Sequence, residues 1–228
     1  MKPSNIYTIV GTRPNVMKID IEMPRQRIIW TGQHYDYEMS SLLWKQLKIP
    51  KLYANLECKS DKSGQMFDKL VKLFKTDKPG LVLVYGDTIS ALMGALAAKY
   101  CKIKVAHVEA GCRIGDLNVP EELCRVEIDR IADVRFACTR QDYKNLYDEK
   151  TLTNRDMYLH GDPMFDVMNR FLPVKRTKDY RKYILFTVHR DFNTDNLDRF
   201  ISILHGMWQH NVDIDVYFPA HPRAMKAL

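Results

Sequence analysis

The sequence predicts an α/β protein, a parallel β-sheet with helices on both faces, and two observations carry that prediction. Short β-rich apolar runs alternate with segments of helical period along nearly the whole chain. Several runs, such as Leu81-Val82-Leu83-Val84-Tyr85, are continuously apolar, as strands buried on both sides are. In chain order, strands are expected at Ile6–Val10, Arg27–Thr31, Leu81–Tyr85, Val105–Val108, Arg135–Cys138, Met157–His160, Tyr183–Val188 and Ile214–Phe218, each a short run of aliphatic, β-branched and aromatic residues. Between them, apolar residues recurring at helical spacing predict helices at Met39–Leu47, Gln65–Phe74, Ile89–Tyr100, Glu121–Ala132, Gln141–Glu149, Met164–Phe171 and Asp195–His210. Around Leu172 to Lys178 the periodicity stops and the composition turns basic and proline-punctuated. A linker is therefore expected over 172–182, with one domain at 1–171 and an incomplete second domain at 183–228, about 46 residues and too small for a self-sufficient α/β domain.

Composition narrows the function classes. The chain has 228 residues, 46% apolar and 28% charged, which excludes wholesale disorder, collagen-like repeats and coiled coil. The longest apolar stretches fall well short of the roughly 20 residues that cross a bilayer, so no membrane partner is expected. The apolar run after Met1-Lys2-Pro3 is too short for a signal peptide, which predicts a cytoplasmic location. The five cysteines are odd in number and contain no C-x-x-C pair; they read as reduced thiols, with neither a zinc site nor a redox pair. The net charge is +7, its excess concentrated in residues 1–114. Those lysines lie at helical spacings among acids without interleaved aromatics, so a solvated helix face is favoured over a nucleic-acid surface. An anionic small-molecule substrate also fits.

In an open α/β sheet, ligands bind beyond the carboxyl ends of the strands. Polar clusters follow the apolar runs here. Gly11-Thr12-Arg13-Pro14 leads to Lys18, with Gly11 suited to a tight turn and Pro14 to a first helical turn that favours anions. Thr31-Gly32-Gln33-His34 closes the next run. In Gly86-Asp87-Thr88 the aspartate also has an ordinary reading as the cap of the following helix. Strand alternation puts His107 and Glu109 on one side, and a carboxylate in so apolar a stretch is costly unless paired or functional. Pro120-Glu121-Glu122 opens a helix, where Glu121, Arg125 and Asp129, spaced by four, also read as an exposed salt-bridged face. His189-Arg190 and Pro219-Ala220-His221-Pro222-Arg223 close two later runs. One polar cluster per strand end is the pattern of an active-site rim.

Taken together, G-T-R-P-x-x-x-K (Gly11 to Lys18), T-G-Q-H (Thr31 to His34), G-D-T-x-S (Gly86 to Ser90), H-V-E-A-G-x-R (His107 to Arg113), P-E-E-x-x-R (Pro120 to Arg125), H-R-x-x-N (His189 to Asn193) and P-x-H-P-R (Pro219 to Arg223) resemble the non-hydrolysing UDP-N-acetylglucosamine 2-epimerase family. The resemblance implies a Rossmann-like N-terminal domain of GT-B type, followed here by an incomplete second Rossmann-like domain. It implies interconversion of UDP-GlcNAc and UDP-ManNAc by elimination and re-addition of UDP, with no cofactor and no metal. It places Asp87, Glu109, Glu121 and His189 as catalytic residues, and Arg13, Lys18, Arg113, Arg125, Arg190 and Asn193 at the substrate. Gln33, His34 and His221 resemble a second, allosteric UDP-sugar site. The chain departs from the family pattern at Asn15, Cys112, Cys124 and Phe192, and its 228 residues do not include the family's C-terminal S-G-G and E-E segment. A homodimer or a separate C-terminal half is the expected partner. The alternatives are a UDP-6-deoxy-N-acetylhexosamine substrate, a hydrolysing reaction, or an inactive remnant that only binds a partner.

Overall fold

A computed structural model describes residues 5–19, 23, 25–33, 44–58, 62–149, 156–171, 182–209 and 214–228. The chain packs into two compact units, Met1–Leu172 and Pro173–Leu228. In the first, seven strands form one sheet: β1 (Ile6–Val10), β2 (Gln26–Trp30), β3 (Ala54–Asn55), β4 (Leu81–Tyr85), β5 (Lys104–Ala110), β6 (Val134–Ala137) and β7 (Asp156–Leu159). Their order is β3-β2-β1-β4-β5-β6-β7, with every neighbouring pair parallel. The order reverses between β1 and β4, and at such a switch point the connections leave in opposite directions and open a crevice. This is the expected Rossmann-like α/β architecture.

Both faces of the sheet are buried, for the reason the apolar runs suggested. Val82 and Val84 of β4 join one core cluster, with Tyr7 and Ile9 of β1 and Leu70 and Phe74 of α2 (Ser63–Asp77). Leu83 and Tyr85 point into the other, with Val10, Ile28, Trp30 and Val108. Small residues let α3 (Ile89–Tyr100) lie close on the sheet: a Cβ on Gly94 would come within 3.0 Å of Ile9. The remaining helices of this unit are α1 (Arg13–Val16), α4 (Pro120–Ile131), α5 (Arg140–Asp148) and α6 (Pro163–Phe171). A capping box between Thr139 and Asp142 starts α5.

The second unit holds β8 (Tyr183–Leu185) and β9 (Asp215–Tyr217) in parallel register, with α7 (Asp191–Thr194), α8 (Leu197–Gln209) and α9 (Pro222–Ala227). Val188, Phe200 and Ala224 form its small core, while Tyr183, Leu185 and Tyr217 stay exposed.

Several boundaries differ from expectation for local reasons. The two-residue β3 is too short to leave a periodic signal. The seventh expected strand ends at Leu185 because its partner β9 ends at Tyr217, whose carbonyl takes a last bond from Phe186 N–H. Helix α8 begins after Asn196, whose side chain accepts from Arg199 N–H as a cap. The helix expected at Met39–Leu47 lies outside the described residues up to residue 43, as does the expected linker 172–182 apart from Lys182. Among the described residues, no helix is long and apolar enough to cross a membrane.

At the end of β1 the chain passes so close to its neighbours that a Cβ on Gly11 would overlap the hydroxyls of Ser90 and Thr31. Overpacking of this kind costs about 1–3 kcal/mol. Gly11→Ala is therefore expected to lower the unfolding free energy by that amount, read as a lower urea midpoint at unchanged slope, whereas Gly64→Ala, where a Cβ meets open space, is not.

Candidate active site

The rim of the β1/β4 crevice is built from four strand ends. After β1, Thr12 and Asn15 turn inward: the Thr12 hydroxyl donates to Asn15 Oδ1 at 2.9 Å, and Asn15 Nδ2 donates to the Tyr85 carbonyl at 3.3 Å. The first turn of α1 is thereby tied to the end of β4, with Arg13 facing solvent and Lys18 reaching across the crevice. After β2, Gln33 Oε1 accepts from both the backbone and the hydroxyl of Ser90, at 3.0 and 2.7 Å, and so joins the start of α3.

After β4, Gly86 has φ +64° and Asp87 follows it. Thr88, not Asp87, caps α3, its hydroxyl accepting from Ala91 N–H. The capping reading of Asp87 therefore fails, and its carboxylate pairs instead with Arg125. The exposed salt-bridged face expected on α4 fails too. Arg125 is 8% exposed and bridges Glu122 and Asp87, while Asp129 is fully buried and pairs elsewhere. The helix serves as a wall of charged groups turned toward the sheet.

After β5, the register shifts between Val108 and Ala110, and Glu109 takes φ +69°, a left-handed conformation uncommon for a residue with a side chain. The bulge interrupts the simple alternation expected for His107 and Glu109. It aims the Glu109 carboxylate at Lys18, 2.6 Å away, and over Gly86, where a Cβ would sit 2.7 Å from Glu109 Oε2. The close approach explains why a glycine precedes Asp87.

These ends surround a hollow of about 260 Å³ lined by Thr12, Asn15, Lys18, Gln33, Asp87 and Glu121, among others. Glu109 reaches the same place through Lys18. The volume suits a sugar ring rather than a whole nucleotide sugar, since drug-sized ligands fill about 300–1,000 Å³. A smaller, mostly apolar cavity of about 180 Å³ lies on the other side of Lys18, against Leu83, Val108 and Phe136.

Behind the hollow lies a buried charged network that the sequence reading missed. His107 and Asp129 are both fully buried and 2.6 Å apart. The other His107 nitrogen contacts the Gly86 carbonyl at 2.8 Å. Asp129 Oδ2 accepts from Gly111 N–H and from Arg113 at 2.9 and 2.8 Å. Arg113, expected at the substrate, is thus engaged by Asp129 and, at 2.6 Å, by Glu149. Burial works against the Arg113 charge, but the Glu149 hydrogen bond and the nearby Asp129 raise its pKa. Helical spacing alone gave no sign of this network, because Asp129 and His107 are 22 residues apart.

Glu109, Cys138 and Asp162 each bring one possible ligand atom to within 4.8 Å of the others. Lys18 already occupies Glu109, and burial, with Glu109 and Asp162 nearby, pushes the Cys138 thiol up to about 12. The Lys18 ammonium already supplies the cation at Glu109. All five cysteines are free thiols.

In the second unit, the His189 and His221 rings lie 5.3 Å apart. Asn193 accepts from Arg199 at 3.0 Å, and His221 Nδ1 caps α9 through Arg223 N–H. Arg190 is exposed. His34 lies outside the described residues.

The profile of a family described as UDP-N-acetylglucosamine 2-epimerase matches residues 20–228. A UDP-N-acetylglucosamine 2-epimerase homolog from Methanococcus maripaludis is 39% identical over 98% of this chain and 67% of its own length. A UDP-2,3-diacetamido-2,3-dideoxy-D-glucuronate 2-epimerase from Pseudomonas aeruginosa is 33% identical over 96% of the chain and 67% of its own. Among solved structures, the Methanocaldococcus jannaschii UDP-GlcNAc 2-epimerase in complex with UDP-GlcNAc and UDP superposes with a TM-score of 0.80 at 32% identity, covering 98% of this chain and 68% of that one. The chain spans about two thirds of the length of these relatives.

Glu122 offers a test of the rim's electrostatics. Burial opposes its ionisation, but the backbone N–H groups of Gly115 and Ile114 and the Arg125 guanidinium outweigh that and hold its carboxyl below the ordinary value. Its stabilising contribution is then complete above the unfolded value of about 4.3 and is lost as pH falls through the lower folded value. Urea midpoints measured across this acid range are expected to fall less steeply for Glu122→Gln than for the native chain.

Proposed function

The chain belongs to the UDP-N-acetylglucosamine 2-epimerase family, and on that premise we propose that it inverts C2 of a UDP-linked 2-acetamido hexose, UDP-GlcNAc to UDP-ManNAc being the reference reaction. The observation that carries this reading is the shared hollow: Asp87 and Glu121 line it, and Glu109 meets Lys18 at its edge.

The chemistry accounts for the residue types. A sugar C2–H is scarcely acidic, so its loss must be coupled to departure of a good leaving group. One carboxylate takes the C2 proton, the electron pair forms the C1=C2 double bond, and the C1–O bond to UDP breaks. The products of that half-reaction are a 2-acetamidoglucal and UDP. In the reverse half-reaction UDP re-adds at C1 while a second acid returns a proton to the opposite face of C2. Inversion thus needs acid or base groups on both faces, which Asp87 after β4, Glu109 at the end of β5 and Glu121 in the first turn of α4 can supply. We assign His189 the fourth catalytic position, and Arg13, Lys18 and Arg190 the negative charge developing on departing UDP. Asn193 is assigned to the substrate on its motif, and Gln33, His34 and His221 to a second UDP-sugar. Arg113 and Arg125 act here by holding Asp129 and Asp87, not by direct contact with the sugar.

The same proposal covers the division at 172–182, supported by the two compact units, and a second copy or a separate C-terminal half over the exposed Tyr183, Leu185 and Tyr217. The Pseudomonas relative keeps the substituents at C3 and C6 of the sugar open, and product analysis across UDP-GlcNAc and its 6-deoxy and 2,3-diacetamido analogues identifies them.

Asp87→Asn and Glu109→Gln are each expected to slow exchange of the C2 hydrogen with solvent deuterium by at least about 100-fold, as loss of a positioned acid or base does. Undiminished exchange in both variants refutes the mechanism. Calorimetry with UDP separates an inactive ligand-binding chain, which retains heat of binding, from one that has no nucleotide site.

A further inference from the structure

Two loops must hold still for the proposed reaction, the Gly86-Asp87 turn after β4 and the Glu109-Ala110-Gly111 turn after β5. Both contain left-handed backbone, at Gly86 (φ +64°), Glu109 (φ +69°) and Gly111 (φ +80°). Glycine adopts that region freely, but the left-handed Glu109 persists only where its surroundings over-determine it. One buried carboxylate reaches both loops. Asp129 Oδ2 binds Gly111 N–H directly at 2.9 Å, and Asp129 Oδ1 binds His107, whose far nitrogen contacts the Gly86 carbonyl at 2.8 Å. Asp129 is itself fixed on α4, where its backbone carbonyl accepts Nε of the buried Arg135 at 2.7 Å.

The hydrogen-bond inventory determines the protons. A carbonyl only accepts, so His107 Nε2 carries a hydrogen. Asp129 Oδ2 takes two donors, one of them the Arg113 guanidinium, as an ionised carboxylate does. Its Oδ1 then accepts as well, so Nδ1 also carries a hydrogen and the ring is an imidazolium. Asp129 and Glu149 face His107 and Arg113, and the buried Arg135 guanidinium on the Asp129 carbonyl is a third cation of the cluster. A buried group of this kind is stable only when every member is paired.

We propose that His107 and Asp129 are positioning residues of the epimerase reaction: a doubly protonated His107, clamped between Asp129 and the Gly86 carbonyl, sets the turns that present Asp87 and Glu109 to C2. Neither side chain lines the hollow, so the pair acts through the loops and not on the sugar. The inference rests on the proposed epimerase reading.

The first test is made on the native chain and needs no activity. Long-range ¹H–¹⁵N spectra of the histidine rings near neutral pH are expected to show one ring, absent in His107→Gln, with both nitrogens protonated. A neutral ring at that position overturns the proposal. The second compares His107→Gln, which keeps a donor toward Gly86, with His107→Leu, which does not. Leucine is expected to lower kcat for C2 exchange about 10- to 100-fold more than glutamine does, with KM for the UDP-sugar within about threefold of native. Equal losses in both variants, or a loss confined to KM, overturn it. Where the native chain shows no C2 exchange, the epimerase reading fails by itself. Amide exchange then decides the structural claim: Gly111 N–H is expected to exchange faster in Asp129→Asn while the β1 and β4 amides do not, and unchanged Gly111 protection overturns it.

Discussion

A fully buried carboxylate is the constraint on which the rest of this site depends. Asp129 has no access to water, and an ionised group in that position is tolerable only if protein replaces every hydration contact. His107, Gly111 and Arg113 do so, and the Asp129 pKa falls below its ordinary value. Burial pushes the other way but is outweighed by the His107 charge and hydrogen bond, by Arg113 and by the Gly111 N–H. Each of these partners belongs to β5 or to the turn that follows it, so the charge requirement of one helix residue fixes the geometry of the neighbouring strand end. The left-handed Glu109 sits at the same bulge, between His107 and Gly111, the two residues that reach Asp129.

The sheet adds the second constraint. All six pairings of the large sheet are parallel, so all its carboxyl ends lie on one edge, and the reversal between β1 and β4 parts the connections there. Residues distant in sequence become neighbours without any long loop. Lys18 and Glu109 are 91 positions apart and meet at 2.6 Å. The hollow is therefore framed by rigid elements, and the ties from Asn15 to Tyr85 and from Gln33 to Ser90 join adjacent strand ends into one rim. A site held this way gains precision from the scaffold itself.

What was legible in the sequence follows from the range of the forces involved. Continuous apolar runs and helical periodicity are local, so the expected Leu81–Tyr85 strand and Ile89–Tyr100 helix coincide with β4 and α3. The strand-end rule turned that order into a list of rim residues, and Asp87, Glu121, Lys18 and Gln33 do line one hollow. Local reasoning erred wherever a tertiary partner outcompeted a neighbour in sequence. Arg125 had Glu121 and Asp129 within one helical turn yet pairs with Asp87 from another strand end, and Asp129 turns to His107 and Arg113. Arg113 sits in a recognisable motif, but its motif position says nothing of Glu149, which engages it. Thr88 displaced Asp87 as the cap because either residue satisfies the same orphan amide, and only the partner across the crevice distinguishes them. The two-residue β3 is too short to carry any period.

The charge balance of the hollow bears on how a diphosphate is accommodated. Asp87, Glu109 and Glu121 bring three carboxylates, against which Lys18 and Arg125 supply two cations already engaged with Glu109 and Asp87. Arg125 is shared with Glu122, so full ionisation of the four carboxylates leaves two negative charges beside a site proposed for an anionic substrate. That arrangement disfavours phosphate in the hollow except beside Lys18, the lining cation assigned to departing UDP. Arg13, exposed on the first turn of α1, adds a cation outside the hollow in the first unit. On the proposed reading the acids meet the ring carbon, and the cations Lys18 and Arg13 meet the leaving group.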